Sequence, residues 1–205
     1  MTGKKRGESR RPLIELTKSR HGEPDFVQSL LVEFLDDGFV PSWAAVAPPE
    51  GWTAAAVAVL MDYAHNPAGF RGLVSFINKL PNKYRTVVLN GTGDRRDEDI
   101  IEMGVIAGEN FDRIVIRRGN YLRGRTQENM VELLQEGVRR ANPAAQVRVI
   151  PDSRDAIQHA VKNGRKGELV VTLADRVPDD IKYVQEIRDA MLEEQRLESE
   201  AKGES

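Results

Sequence analysis

Four clusters of polar residues each follow a short apolar run, and their residue types suit an anionic, sugar-bearing ligand. The run 54–61 leads into Asp62-Tyr63-Ala64-His65-Asn66-Pro67. An aspartate at a strand end can accept hydrogen bonds from two vicinal ribose hydroxyls. A histidine three residues on, just before a helix start, can face a nucleotide or a phosphate. A second reading stays open, in which Asp62 and His65 only cap the helix that begins at Pro67. The run 85–90 leads into Gly91-Thr92-Gly93-Asp94-Arg95-Arg96-Asp97, where two glycines let backbone amides approach an anion beside two arginines. The competing reading makes Arg95 and Arg96 surface ion-pair partners of Asp97 and Asp99, which stabilise little. After 113–116 come Arg117, Arg118, Asn120, Arg123 and Arg125, crowded into one loop. Their mutual repulsion is relieved if something anionic sits among them, and a solvated loop is the alternative. The run 168–173 ends in Ala174-Asp175-Arg176. No Ser–His or Cys–His pair stands at these ends, so a self-sufficient hydrolase-like enzyme is the weakest functional reading.

The elements that must position these clusters alternate regularly. Apolar runs at 54–61, 85–90, 113–116, 147–150 and 168–173 predict strands, and helical patterns cover 67–80, 97–108, 126–140, 153–162 and 179–197. Strands rich in Val and Ile, apolar on both faces, belong in a parallel sheet covered on both sides. Their alternation with helices predicts an α/β, three-layer Rossmann-like domain with a mainly parallel sheet of about five to six strands. In such a sheet ligands bind beyond the carboxyl ends of the strands, which is where all four clusters fall. The domain is expected over 53–197, with a polar tail at 198–205. Residues 1–52 read as a mobile basic tail, a short amphipathic helix at 26–35 and a Pro-rich connector, the helix having Phe26, Leu30, Leu31 and Phe34 near one face. Ile181, Val184 and Met191 on the last helix read as core positions.

Bulk properties remove several classes of partner. The 205 residues are 40% apolar and 30% charged, with a formal charge of -2 and a pI of about 6.0. That balance gives no electrostatic reason to expect nucleic acid or an anionic membrane. There is no cysteine, and three scattered histidines (His21, His65, His159) argue against a zinc site. No apolar run nears the ~20 residues that span a bilayer. The basic N-terminus lacks the hydrophobic stretch of a secretory signal, so the cytoplasm is the expected compartment.

At the same clusters the sequence resembles the C-terminal domain of the Mur ligase superfamily, in the form found in cyanophycin synthetase. DYAHNPAGF at 62–70 is similar to the family's DYAHTP or DGAHNP signature, and GTGDRRDEDI at 91–100 to its PGDRRDEDI stretch. FDRIVIRRGNYLRGR at 111–125 resembles its FDR-hydrophobic-RxxxxLRGR segment, and GELVVTLAD at 167–175 its closing GDLVVxLAD. The resemblance implies a lobe of an ATP-dependent, ADP-forming acid–amino acid ligase that closes over nucleotide and binds the incoming amino acid or peptide. It places Asp62, His65 and Asn66 at the nucleotide and Asp94 and Arg95 on the phosphate side. It assigns Arg117, Asn120, Arg123, Arg125 and Asp175 to the substrate. ATP or ADP with Mg²⁺ is the implied cofactor. The chain has no G-x-x-x-x-G-K-[S/T], so the phosphate cradle and Mg²⁺ ligands are expected from a separate P-loop or ATP-grasp ligase protein, and no turnover from this lobe alone. In cyanophycin synthetase the incoming amino acid would be arginine, yet the loop here reads Arg118-Gly119-Asn120-Tyr121 and lacks the carboxylates that would match a guanidinium. The alternative function is a non-catalytic nucleotide- or protein-binding module derived from the same lobe.

Overall fold

The computed structural model describes residues 14–16, 27–32, 57–174 and 177–203. In chain order the elements are β1 (Ile14–Leu16), β2 (Val27–Val32), β3 (Val57–Asp62), α1 (Pro67–Ile77), β4 (Tyr84–Leu89), α2 (Asp97–Asn110), β5 (Arg113–Ile116), α3 (Gln127–Ala141), β6 (Gln146–Val149), α4 (Ser153–Lys162), β7 (Glu168–Leu173) and α5 (Val177–Gly203). They form one seven-stranded sheet in the order β1-β2-β3-β7-β4-β5-β6. All neighbours pair in parallel except β1, which runs antiparallel to β2. The last strand in sequence, β7, thus lies at the centre, and all six residues of both β3 and β7 are buried. A strand covered on both faces has no solvent side, which explains why these two lack an apolar–polar alternation.

Successive side chains of these strands divide between two cores. Leu60, Val87, Leu89, Ile116 and Val171 pack with the buried faces of α1, α2 and α3. Val59, Met61, Val88, Val115 and Val170 pack with Ala156, Ile157 and Val161 of α4 and Val184 and Ile187 of α5. The three layers expected from the sequence are present. The helices carry matching end signals. Thr126 caps α3 through Asn129 N–H at 3.1 Å, and Asp152 caps α4 through the Arg154 and Asp155 amides at 2.8 and 3.0 Å. The α2 start has no side-chain cap, but Asp97, Glu98 and Asp99 fill its first turn, where the helix dipole favours negative charge. Helix α1 stops at Ile77 rather than at residue 80, consistent with Pro81 disfavouring helix just before it.

One expected element is wrong. The stretch 26–35 is not a helix over its described part: Val27–Val32 forms β2, paired with β3 from Val27↔Val57 to Leu31↔Met61. A short apolar run fits either period, and here the open edge of β3 decides for the strand. The β1 pairing likewise puts Ile14–Leu16, expected in a mobile tail, in the sheet; the remainder of that segment lies outside the described residues. Among the described residues no helix is long and apolar enough to cross a membrane.

Helices α2 and α3 follow the two loops that carry the arginines, so their mutual placement sets the loops. They meet backbone to backbone: a Cβ on Gly137 would stand 1.9 Å from the Ile101 carbonyl oxygen, and one on Gly104 2.2 Å from that of Leu134. Replacement Gly137→Val is expected to lower unfolding stability in urea by about 1–3 kcal/mol or more through overpacking; an unchanged midpoint would contradict this close approach.

Candidate functional site

Every strand from β3 to β7 points its carboxyl end at the same sheet edge, and the polar clusters meet there. Asp62 closes β3 and is 3% exposed. Its Oδ1 accepts the Ala64 N–H at 2.6 Å, and its Oδ2 is buried without a hydrogen-bond partner. Its main-chain oxygen accepts from Ala174 N–H at 2.8 Å, which joins it to the end of β7. Asp62 does not cap α1, and neither does His65. The cap is Asn66, whose Oδ1 accepts from Gly69 N–H at 2.8 Å. His65 Nδ1 lies 3.1 Å from the Tyr63 carbonyl. Since a carbonyl only accepts, Nδ1 carries the hydrogen in the neutral ring and Nε2 is left as an acceptor. The ring also meets Tyr63 edge-on, with centroids 5.2 Å apart.

The second loop leans on both neighbours. Thr92 Oγ1 donates to His65 O at 3.4 Å, and Gly93 N–H donates to Tyr121 O at 2.8 Å. A Cβ at Gly93 would fall 1.7 Å from the Leu122 carbonyl oxygen, so only glycine permits this contact. Arg125 then staples the two loops. Its Nε donates to Gly93 O at 3.3 Å, Nη2 to Arg95 O at 2.8 Å and Nη1 to Asn129 Oδ1 at 3.1 Å, with Asp97 Oδ1 2.5 Å from Nη1. Arg95 extends beside Asp94 at 3.9 Å, and its Nε is buried without a hydrogen-bond partner.

The arginines expected at the substrate therefore play unequal parts. Arg117 is 2% exposed and donates from Nη2 to Leu173 O at 2.9 Å and from Nη1 to Arg118 O at 3.2 Å. It ties the end of β5 to the end of β7, as Arg125 ties loop to loop. Arg123 and Asn120 are exposed. Asp175 lies outside the described residues.

Three further residues belong to this edge. Gln127 donates to Gly119 O at 2.8 Å while its Oε1 is buried without a partner, and Thr172 Oγ1 is buried without one as well. Gln127 has no period or motif that marks it; Thr172 could have been flagged as a hydroxyl in an otherwise apolar central strand. Exposed Arg118 is the third, adjacent in sequence to a residue that points inward. Buried polar atoms are nearly always satisfied, yet Asp62 Oδ2, Arg95 Nε, Gln127 Oε1 and Thr172 Oγ1 all lie at the carboxyl-end edge.

The opposite edge is different. Buried Glu168 accepts from the Thr86 hydroxyl, from Arg113 Nη2 at 2.7 Å and from the Arg165 amide at 2.7 Å. An open polar groove of about 670 Å³ lies beside it, lined in part by Lys83, Tyr84, Asp112 and Arg165. Arg165 stacks over Tyr84 at 4.0 Å. Asp62 Oδ2, Arg95 Nε and Gln127 Oε1 line no part of this groove, so unsatisfied buried bonding capacity rather than volume marks the site. Among the described residues no three His, Cys, Asp or Glu gather as metal ligands.

The family profile described as Mur ligase, glutamate ligase domain, matches residues 52–176. This chain belongs to the Mur ligase family. The motifs at 62–70, 91–100, 111–125 and 167–175 all fall inside that match. The cyanophycin synthetase of Geminocystis herdmanii is 39% identical over 127 residues, covering 62% of this chain and 14% of that protein. The cyanophycin synthetase of a Nostoc species is 32% identical over 163 residues, covering 78% of this chain and 18% of that one. The chain thus spans less than a fifth of either relative. A solved UDP-N-acetylmuramoyl-L-alanyl-D-glutamate–2,6-diaminopimelate ligase shares the fold with a TM-score of 0.59 at 15% identity, covering 87% of this chain and 31% of that one.

Burial holds the Asp62 carboxyl well above the usual range, at about 7, with the Ala64 amide opposing the shift. The folded chain therefore binds this proton more tightly than the unfolded one, whose value is near 3.8. The resulting stabilisation is full below about pH 4 and fades as pH rises through about 7. A carbon-13 titration of the Asp62 carboxyl should have its midpoint near 7. Asp62→Asn should gain on the wild type by up to about 4 kcal/mol across that window. A midpoint near 4 would contradict the buried placement.

Proposed function

We propose that this chain is the nucleotide-closing, amino acid-binding lobe of an ATP-dependent, ADP-forming acid–amino acid ligase whose ATPase domain lies outside these 205 residues. The observation that carries this reading is the buried, partnerless Oδ2 of Asp62 at the junction of three loops. It suits a donor hydroxyl, and the vicinal hydroxyls of a ribose supply two. Mg²⁺-bound ATP, when present, supplies the phosphoryl group that activates an acid for attack by an amine.

The chain's own residues orient rather than react. Asp62 accepts from the ribose, and His65 presents Nε2 as an acceptor beside it. Asn66 holds the start of α1 so that this turn keeps its shape. The 91–95 backbone and Arg95 face the phosphate side, where Asp94 completes the closed site. Exposed Asn120 and Arg123 meet the incoming amino acid, while Arg117 and Arg125 keep the loops in register. No metal ligand is assigned to this chain. The absence of a membrane-crossing helix among the described residues is compatible with work in the cytoplasm.

Calorimetric titration of the chain with ADP and Mg²⁺ tests the reading. Binding is expected, strengthening from pH 6 to pH 8 because donor hydroxyls favour the ionised Asp62. It should be abolished by Asp62→Ala with the circular dichroism spectrum unchanged. Equal heat from the variant, or none from the wild type at millimolar nucleotide, would sink it.

A further inference from the structure

Strand β6 closes one side of the sheet and, among the described residues, pairs only with β5. Ile150 N–H donates to Ile116 O at 2.9 Å, and Val149 stands opposite Ile116 in the register. In such a parallel pair the main-chain groups of every second residue turn toward the neighbour. Gln146, Arg148 and Ile150 therefore bond inward, while the N–H and C=O of Val147 and Val149 point away from the sheet. The edge is bare as well: Gln146 and Arg148 are exposed, and Val149 is 40% exposed. Gln146, where the edge begins, also lines the polar groove at the amino ends.

The side chains of β6 divide between two faces. Val147 packs against the core beneath α1, α2 and α3, and Val149 continues that apolar line into solvent. Arg148 lies on the other face, where Ile150 packs against the core beneath α4 and α5. The Arg148 side chain makes no hydrogen bond or ion pair among the described residues. Its charge is felt on α4: His159 is held below the usual histidine range, first by burial and then by Arg148 and Arg113. A strand added here meets a cation on one face and exposed hydrocarbon on the other.

A second copy of the chain fits this edge poorly. The antiparallel self-pairing that uses all the outward groups sets Val147 of each copy against Val149 of its mate, and Arg148 directly against its own counterpart. Like charges placed opposite one another destabilise a sheet. A charged residue in a short edge strand is indeed a device against self-association. The same charge favours a carboxylate. We propose that β6 is a docking edge for an extended acidic segment of a partner protein. That segment extends the seven-stranded sheet, with apolar residues beside Val147 and Val149 and a carboxylate beside Arg148.

Nuclear magnetic resonance titration of the full chain tests this, with the acetylated, amidated peptide Thr-Val-Glu-Val-Thr and its counterpart carrying Lys in place of Glu. The Glu peptide at millimolar concentration should move the amide signals of residues 146–150 and slow hydrogen exchange at Val147 and Val149. It should bind roughly fivefold more tightly than the Lys peptide, and Arg148→Glu should reverse that preference. Val149→Pro deletes an outward N–H that the sheet does not use, a change that edge strands tolerate. It should abolish binding of the Glu peptide while leaving the circular dichroism spectrum and the ADP heat unchanged. Equal affinity for the two peptides, shifts centred elsewhere, or no shift with either would overturn the proposal. So would a wild-type dimer in sedimentation equilibrium that Val149→Pro dissociates, since a second copy would then be the occupant.

Discussion

Parallel strand direction is the constraint from which the site follows. Since β3, β7, β4, β5 and β6 all run the same way, their carboxyl ends share one edge, and every connection leaving a strand begins there. Registers such as Asp62↔Leu173 and Leu89↔Ile116 bring those ends nearly level. Three polar loops from distant parts of the sequence are thereby laid side by side. The central position of β7 matters most, because its end is held by Asp62 on one side, through Ala174, and by Arg117 on the other.

The two edges of the sheet solve the same electrostatic problem in opposite ways. At the amino ends a buried carboxylate is surrounded by a hydroxyl, a guanidinium and an amide, so that little bonding capacity remains. Removing one member of such a set leaves an uncompensated buried charge and is strongly destabilising. At the carboxyl ends the guanidinium groups of Arg117 and Arg125 gather carbonyl oxygens from several loops. That fastens the loops while several buried polar atoms beside them lack partners. A folded chain tolerates such atoms at a functional edge, where a bound partner can supply what is missing.

Much of this was legible in the sequence because buried parallel strands announce themselves. The five strands from β3 to β7 stood out as Val- and Ile-rich runs, and the helices between them by period and end signals. Residues 26–35 did not, because so short a segment cannot separate the two periods and only the edge of β3 settles the matter. The clusters themselves were visible, but not which member does what. The capping reading of Asp62 and His65 failed because the cap is the residue directly before Pro67, Asn66, whose Oδ1 reaches the Gly69 amide. The division of the arginines was not readable: Ile114 and Ile116 on one face of β5 and Val115 on the other are all buried, so strand period does not choose between Arg117 and Arg118. Gln127 was out of reach, since its standing depends on a contact made across the sheet edge, whereas Thr172 was visible as a hydroxyl in an apolar run.

The central claim is that one pocket at the carboxyl ends of the strands receives the nucleotide. Amide chemical-shift mapping of the full chain, titrated with ADP and Mg²⁺, tests it most directly. The account predicts the largest shifts at residues 62–66 and 91–95, with little change at the amino-end groove around Lys83 and Asp112. Shifts centred on that groove, or spread over both edges of the sheet, would contradict it.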